Sequence, residues 1–95
     1  MYAISFDMNT EVLKTTYNPN YNNAYYEIQN ILKDYGFERI QGSVYINTSD
    51  TPNNLSLVYQ AIEKLKNTHW FKESVTDIRV FRAEDWSDFT RIVKE

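Results

Sequence analysis

Phe37-Glu38-Arg39-Ile40-Gln41-Gly42-Ser43-Val44-Tyr45-Ile46-Asn47 is the stretch whose reading decides the fold. It reads as two short strands pinched at Gly42. A bend this sharp calls for glycine, which takes positive φ without a Cβ clash. Beyond the pinch, strand alternation sets Ser43, Tyr45 and Asn47 on one face and Val44 and Ile46 on the other. Val44 and Ile46 are wholly apolar, so that face is expected on the core. Ser43 is then expected on the opposite face, a small hydroxyl just past a bend. The connection at Gly42 is short for an ordinary hairpin loop. Either the second strand is very short, or the two strands form one bent ribbon.

Upstream of this ribbon lies a helical stripe. Asn18-Pro19 gives a cap followed by a first-turn proline. Tyr21, Ala24, Tyr25, Ile28, Ile31, Leu32 and Tyr35 follow at spacings of three and four, and Gly36 supplies the stop. Residues 8–18 are polar and irregular and read as a loop. Residues 2–7 alternate bulky Tyr2, Ile4 and Phe6 with small Ala3, Ser5 and Asp7, a strand with its bulky side on the core.

Downstream, Thr51-Pro52 repeats the cap-plus-proline signal. The second helical stripe is Leu55, Val58, Tyr59, Ile62 and Leu65, with His69 at its end. Residues 74–82 read as a fourth strand, with Ile78 and Val80 on one face and Asp77, Arg79 and Phe81 on the other. Trp86, Phe89 and Val93 are spaced for a short closing helix.

The order βαββαβ with a C-terminal helix predicts an α+β, ferredoxin-like fold, with two helices on one face of a four-stranded sheet. Right-handed crossovers give an antiparallel sheet in the spatial order 4-1-3-2. Residues 1–95 are expected to form a single domain, large enough for one core.

Composition narrows the function. The formal charge of −3 disfavours a protein that coats DNA by bulk electrostatics. Nucleic-acid binding then requires positive residues gathered locally or summed across a dimer groove. The absence of Cys excludes disulfides, thiolate metal sites and thiol nucleophiles, and the cytoplasm is the expected setting. The first residues lack the basic region of a signal sequence, and no apolar run approaches the roughly 20 residues of a membrane span. No membrane partner is expected.

The topology predicts a convergence. Asp7 ends the first strand, Ser43 begins the third, and Asp77 lies near the start of the fourth. Antiparallel pairing brings these three ends to one edge, and the alternation puts all three on the face without helices. Surface decoration explains any one of them alone. Tyr45, Phe81 and Arg79 are expected on the same face. Exposed aromatics there call for cover, either a sheet-to-sheet homodimer or a stacking platform for single-stranded nucleic acid. The glycine-aromatic signature of RNA-recognition sheets is absent, which favours the homodimer.

These strings carry a resemblance. Met1-Tyr2-Ala3-Ile4-Ser5-Phe6-Asp7, Gln41-Gly42-Ser43-Val44-Tyr45, Ser74-Val75-Thr76-Asp77-Ile78-Arg79-Val80-Phe81 and Asp85-Trp86-Ser87-Asp88-Phe89-Thr90 resemble virulence-associated protein D (VapD). The match runs in order along nearly the whole chain. VapD proteins are similar in fold to the small CRISPR-associated ferredoxin-like nucleases. The resemblance implies a dimeric endoribonuclease, the toxin of a toxin–antitoxin pair in some bacteria, with RNA as substrate and a small antitoxin protein as a further partner. It sets the family's strand-one Asp on Asp7 and its Gly-Ser on Gly42-Ser43, and Asp77 matches as well. Thr76 stands where the family often has Arg, one positive charge fewer.

RNA cleavage needs an attacking oxygen, a group to take its proton, and stabilisation of the phosphorane charge. Two roles are open to Asp7. It can act as a general base, its pKa lifted if a dimer brings two copies together. Alternatively, paired Asp7 carboxylates can hold Mg²⁺. No cofactor is required by the first, and one Asp per subunit makes a thin metal site. Ser43 suits a hydrogen bond to phosphate or to Asp7; no Gly-x-Ser-x-Gly elbow and no activating His mark it as a nucleophile. Arg79 is the candidate for phosphate binding, with an ion pair near Asp77 as its structural alternative. Gln41, Gly42 and Asp77 complete the candidate substrate contacts, and Arg39 shares a strand face with Gln41. A single His69 cannot supply both acid and base. The competing function is a non-catalytic RNA- or protein-binding module using the open sheet face.

Overall fold

The computed structural model describes residues 1–17, 20–47 and 54–95. The expected caps Asn18-Pro19 and Thr51-Pro52 lie outside the described residues. Strand β1 (Tyr2–Met8) lies inside a four-stranded sheet. It pairs antiparallel with β3 (Val44–Asn47) on one side and β4 (Val75–Arg82) on the other. Strand β2 (Phe37–Gln41) adds outside β3, so the order is β2-β3-β1-β4, the expected 4-1-3-2 read from the other edge. Helices α2 (Asn22–Asp34) and α3 (Asn54–Lys66) carry the two apolar stripes. The α+β, ferredoxin-like arrangement is therefore present. No described helix is long and apolar enough to cross a membrane.

The core lies between helices and sheet. Ile28 and Leu32 from α2 and Val58, Ala61 and Leu65 from α3 meet Ile4 and Phe6 of β1, Phe37 of β2 and Tyr45 of β3. Phe6 is the hub. Its ring stacks on Tyr45 at 5.9 Å between centroids and meets Phe71 edge-on at 5.5 Å. Both are geometries that the ring quadrupole favours.

Tyr45 in this core corrects the expected orientation of β3. Ile4 pairs with Tyr45, Ser5 with Val44 and Ala3 with Ile46. Tyr45 and Asn47 therefore face the helices, and Val44 and Ile46 face the other way. The apolar pair misleads because β3 is buried on both sides. Ile46 is only 2 % exposed on the face turned away from α2 and α3, where Ala3, also 2 % exposed, is its neighbour. Asn47 is buried because its Nδ2 donates to the Tyr35 carbonyl at 3.3 Å, just past the end of α2. A buried amide thus caps carbonyls that a helix end leaves unpaired. Gly36 stops α2 with φ of +85°, and a Cβ there would sit 3.2 Å from Asn47 Nδ2.

Three further expectations change. Residues 8–18 are not simply a loop, because Thr10–Thr16 form helix α1. Asn9 Oδ1 accepts the Val12 N–H at 3.2 Å, and Glu11 sits in the first turn. Only Leu13 is buried, so this helix of about two turns shows no repeating stripe. His69 does not end the second long helix; it begins α4 (His69–Ser74), the end of a helix whose dipole disfavours a cation. Helices α1 and α4 pack together through Tyr17 edge-on to Trp70 at 5.0 Å and through Thr16 and Ser74, whose hydroxyls are 3.1 Å apart. The closing helix is shorter than its stripe implied: α5 covers Thr90–Lys94, with Trp86 and Phe89 outside it.

Candidate active site

Asp7 and Asp77 are directly paired across the β1–β4 ladder. Opposed Cβ atoms in an antiparallel pair lie about 4.5–5.5 Å apart, so the two carboxylates are neighbours. By alternation they share the face turned away from α2 and α3 with Ser5, Arg79, Ala3 and Phe81. Asp7 is exposed and Asp77 half-buried.

A bulge shapes this end of the ladder. Asp7 pairs with Asp77, but Met8 pairs with Val75, which leaves Thr76 as the extra residue. Bulges bend a strand and re-aim its side chains, often beside functional sites. The Thr76 hydroxyl donates to the Asp7 carbonyl at 3.2 Å, joining the bulge to β1. Beyond it, the Asn9 N–H donates to the Ser74 carbonyl at 2.7 Å, so the chain leaves β1 for α1 already tied to α4. Asp7 therefore stands on backbone held from both sides.

Arg79 Nε donates to Asp77 Oδ2 at 3.0 Å, and this contact raises the guanidinium pKa further above its ordinary value. The site thus combines two facing carboxylates with one guanidinium already turned toward them. Two carboxylates are a donor number that Mg²⁺ commonly takes from protein, the rest of its shell being water and substrate oxygens. Among the described residues no cluster of three metal-ligating side chains adds to them.

Ser43 reaches the same end of the sheet but not the same face. Its carbonyl accepts the Phe6 N–H at 3.2 Å, so its backbone abuts the residue before Asp7. With Tyr45 and Arg39, however, it lines a cleft against Tyr25, Tyr26 and Gln29 of α2. The expected edge is correct, and the expected shared face is not, because the orientation of β3 is inverted. Gly42 makes the turn with φ of +40°. Gln41 and Arg39 part company as well. The register shifts between them, so Arg39 pairs with Tyr45 and Gln41 with Val44. Gln41 lines a second cleft with Ile40, Val44 and the segment around Trp86 and Phe89, on the opposite side of the sheet.

Comparison with known proteins places this arrangement. The family described as CRISPR associated protein Cas2 matches residues 1–91. The chain is 55 % identical over 94 residues to endoribonuclease VapD of Dichelobacter nodosus, covering 99 % of this chain and 98 % of that protein. It is 53 % identical over 94 residues to endoribonuclease VapD of Helicobacter pylori, covering 99 % of each. The chain belongs to the VapD family. A more distant relative, the endoribonuclease VapD homolog of Neisseria gonorrhoeae, is 45 % identical over 94 residues and 99 % of each chain. The VapD fold here thus has a Cas2-like frame, with Asp7 at the bulged end of β1.

Two features of this VapD site escape a reading of the sequence. Thr76 is a bulge residue only because of its register, which no local pattern reveals. Tyr26 falls outside the apolar stripe of α2 and reads as plain helix surface, yet its ring, 67 % exposed, stands beside Arg39 and Ser43. The available signal was an aromatic ring off the apolar stripe, where core packing does not account for it.

Proposed function

We propose that this chain is an endoribonuclease that cleaves RNA at the Asp7–Asp77 edge. The observation that carries this reading is an exposed Asp7 on a doubly tied backbone, facing Asp77 with Arg79 beside it. Asp7 takes the proton of the attacking hydroxyl, from water or from the ribose 2′ position. The new P–O bond forms as the bond to the leaving ribose oxygen breaks, and that oxygen takes up a proton from solvent. Arg79 leaves its contact with Asp77 to meet the phosphorane charge, as guanidinium suits phosphate geometry. Ser43, behind the same sheet edge, contacts the strand that wraps around it. The reading requires no resident cofactor. Mg²⁺ bound by Asp7, with Asp77 as second carboxylate, is the other arrangement open to the same residues.

The chain acts as a homodimer in this proposal. Support comes from apolar surface away from α2 and α3: Phe81 is 47 % exposed, and Trp86, Phe89, Ile92 and Val93 follow it in the tail and α5. The family resemblance supports the finer role of a cytoplasmic toxin with a small antitoxin partner.

The experiment is cleavage of labelled RNA by the purified chain, with and without EDTA, beside Asp7→Asn and Ser43→Ala. Loss of cutting in Asp7→Asn supports the assignment, and persistence in EDTA selects the metal-free arrangement. Undiminished cutting by Asp7→Asn refutes the site. Light scattering that reports a monomer under the assay conditions refutes the dimer, and failure of a neighbouring small protein to bind and silence the chain refutes the toxin pairing.

A further inference from the structure

The cleft behind Ser43 is not used by the chemistry above, and its lining is that of a base-binding site. It has a volume of about 570 Å³, within the range of small-ligand clefts. Tyr25, Tyr26 and Gln29 line it from α2, and Arg39, Ser43 and Tyr45 from the β2–β3 ribbon. Tyr26 offers an exposed ring. Gln29 lies three and four residues beyond the two tyrosines, on the same side of the helix. Arg39 is fixed by its Nε bond to the Gly42 carbonyl at 2.8 Å, which uses one of five guanidinium donors. The backbone at Gly42 is uncovered, with no atom within 4 Å of the place a Cβ would take.

Position and charge point the same way. The Ser43 carbonyl is bonded to the Phe6 N–H, so the cleft opens at the sheet end that carries Asp7. Arg39 is the cation among the residues that line it, in a chain of net charge −3. Affinity that rests on neutralising many phosphates is therefore not available here. Stacking on a tyrosine and hydrogen bonds to a base are available, and they require a base free of its partner strand.

We propose that this cleft is a nucleobase subsite for single-stranded RNA, adjoining the Asp7 edge. A base flanking the scissile phosphate stacks on Tyr26, Gln29 bonds its edge, and Arg39 takes the adjacent phosphate. The proposal rests on the reading of Asp7 as the cleavage position and adds a substrate class to it: unpaired RNA, bound with a weak dependence on salt.

The test is fluorescence anisotropy with a short, 2′-O-methylated, single-stranded oligoribonucleotide, and with the same strand in a duplex. The parent chain is expected to bind the single strand and to bind the duplex at least about tenfold more weakly. Tyr26→Ala, at an exposed position, is expected to weaken single-strand binding by about tenfold with an unchanged melting curve, since loss of one base stack has that order of effect. Arg39→Gln is expected to lower the log–log salt slope by about 0.7, the increment for one phosphate on a single strand. Tyr59→Ala, at an exposed position on α3 outside the cleft, is expected to bind like the parent. Equal binding by Tyr26→Ala and the parent, equal binding of duplex and single strand, or no binding by the parent would each overturn the subsite. If Asp7→Asn still cleaves unmodified RNA while Tyr26→Ala binds weakly, the cleavage assignment fails and the subsite stands.

Discussion

The two strands that flank β1 have opposite characters. β4 is an edge strand whose residues from Arg79 to Arg82 are exposed, while Tyr45, Ile46 and Asn47 of β3 are buried on both faces. Both ladders are antiparallel and both meet the same central strand. Charge therefore gathers on the β4 side, where Asp77 and Arg79 remain hydrated, and packing gathers on the β3 side. The difference separates two characters along one strand: Asp7 stays exposed, while Ile4 and Phe6, a few residues earlier, hold β1 in place through β3 and the helices.

That division can be broken experimentally. Asp7→Asn should lower RNA cleavage by roughly 10²–10⁴-fold, the usual scale of a general base, while its melting temperature barely moves. A large fall in melting temperature would mean that the β4 side is structural after all. Tyr45→Ala should destabilise the fold by about 3–5 kcal/mol in urea titrations, as for other buried rings. Val44→Ala, on the half-buried opposite face, should cost about 1 kcal/mol. Equal losses would erase the orientation of β3 described above. Asn47→Ala should cost about 1–3 kcal/mol, because the Tyr35 carbonyl loses a buried donor.

The smallest effect is a pH dependence. Burial raises the Tyr45 pKa, partly opposed by nearby Arg39. A raised folded-state pKa means that the neutral phenol favours the fold. That contribution is complete below the unfolded value near about 10 and disappears as pH rises through the folded value. Urea titrations above pH ~10 should thus show a decline that Tyr45→Phe reduces, and an unchanged decline would place the ring outside the core.

The same division explains how much was legible in the sequence. The strand and long-helix order, the sheet order and the edge holding Asp7, Ser43 and Asp77 all followed from periodicity and crossover rules. On β4 and β1 the faces were readable because one side of each strand is apolar and the other polar. On β3 the rule had no purchase. Ile46 is buried away from the helices, and Asn47 is buried under them as a cap, so polarity and burial decouple. The bulge at Thr76 and the shift between Arg39 and Gln41 are register events, set by pairing partners distant in sequence. Helix α1 was missed for a different reason. It buries only Leu13, too little for a periodic stripe, and only its Asn9 cap and Glu11 gave notice.

The aromatic placement gives the protein two optical probes with separate addresses. Trp70 is held edge-on to Tyr17 between α1 and α4, whereas Trp86 is 45 % exposed in the segment leading to α5 (Thr90–Lys94). In Trp70→Phe the remaining indole emission comes from the tail alone. Its wavelength then becomes an intrinsic, label-free gauge of anything that settles over that segment, a second copy of the chain included.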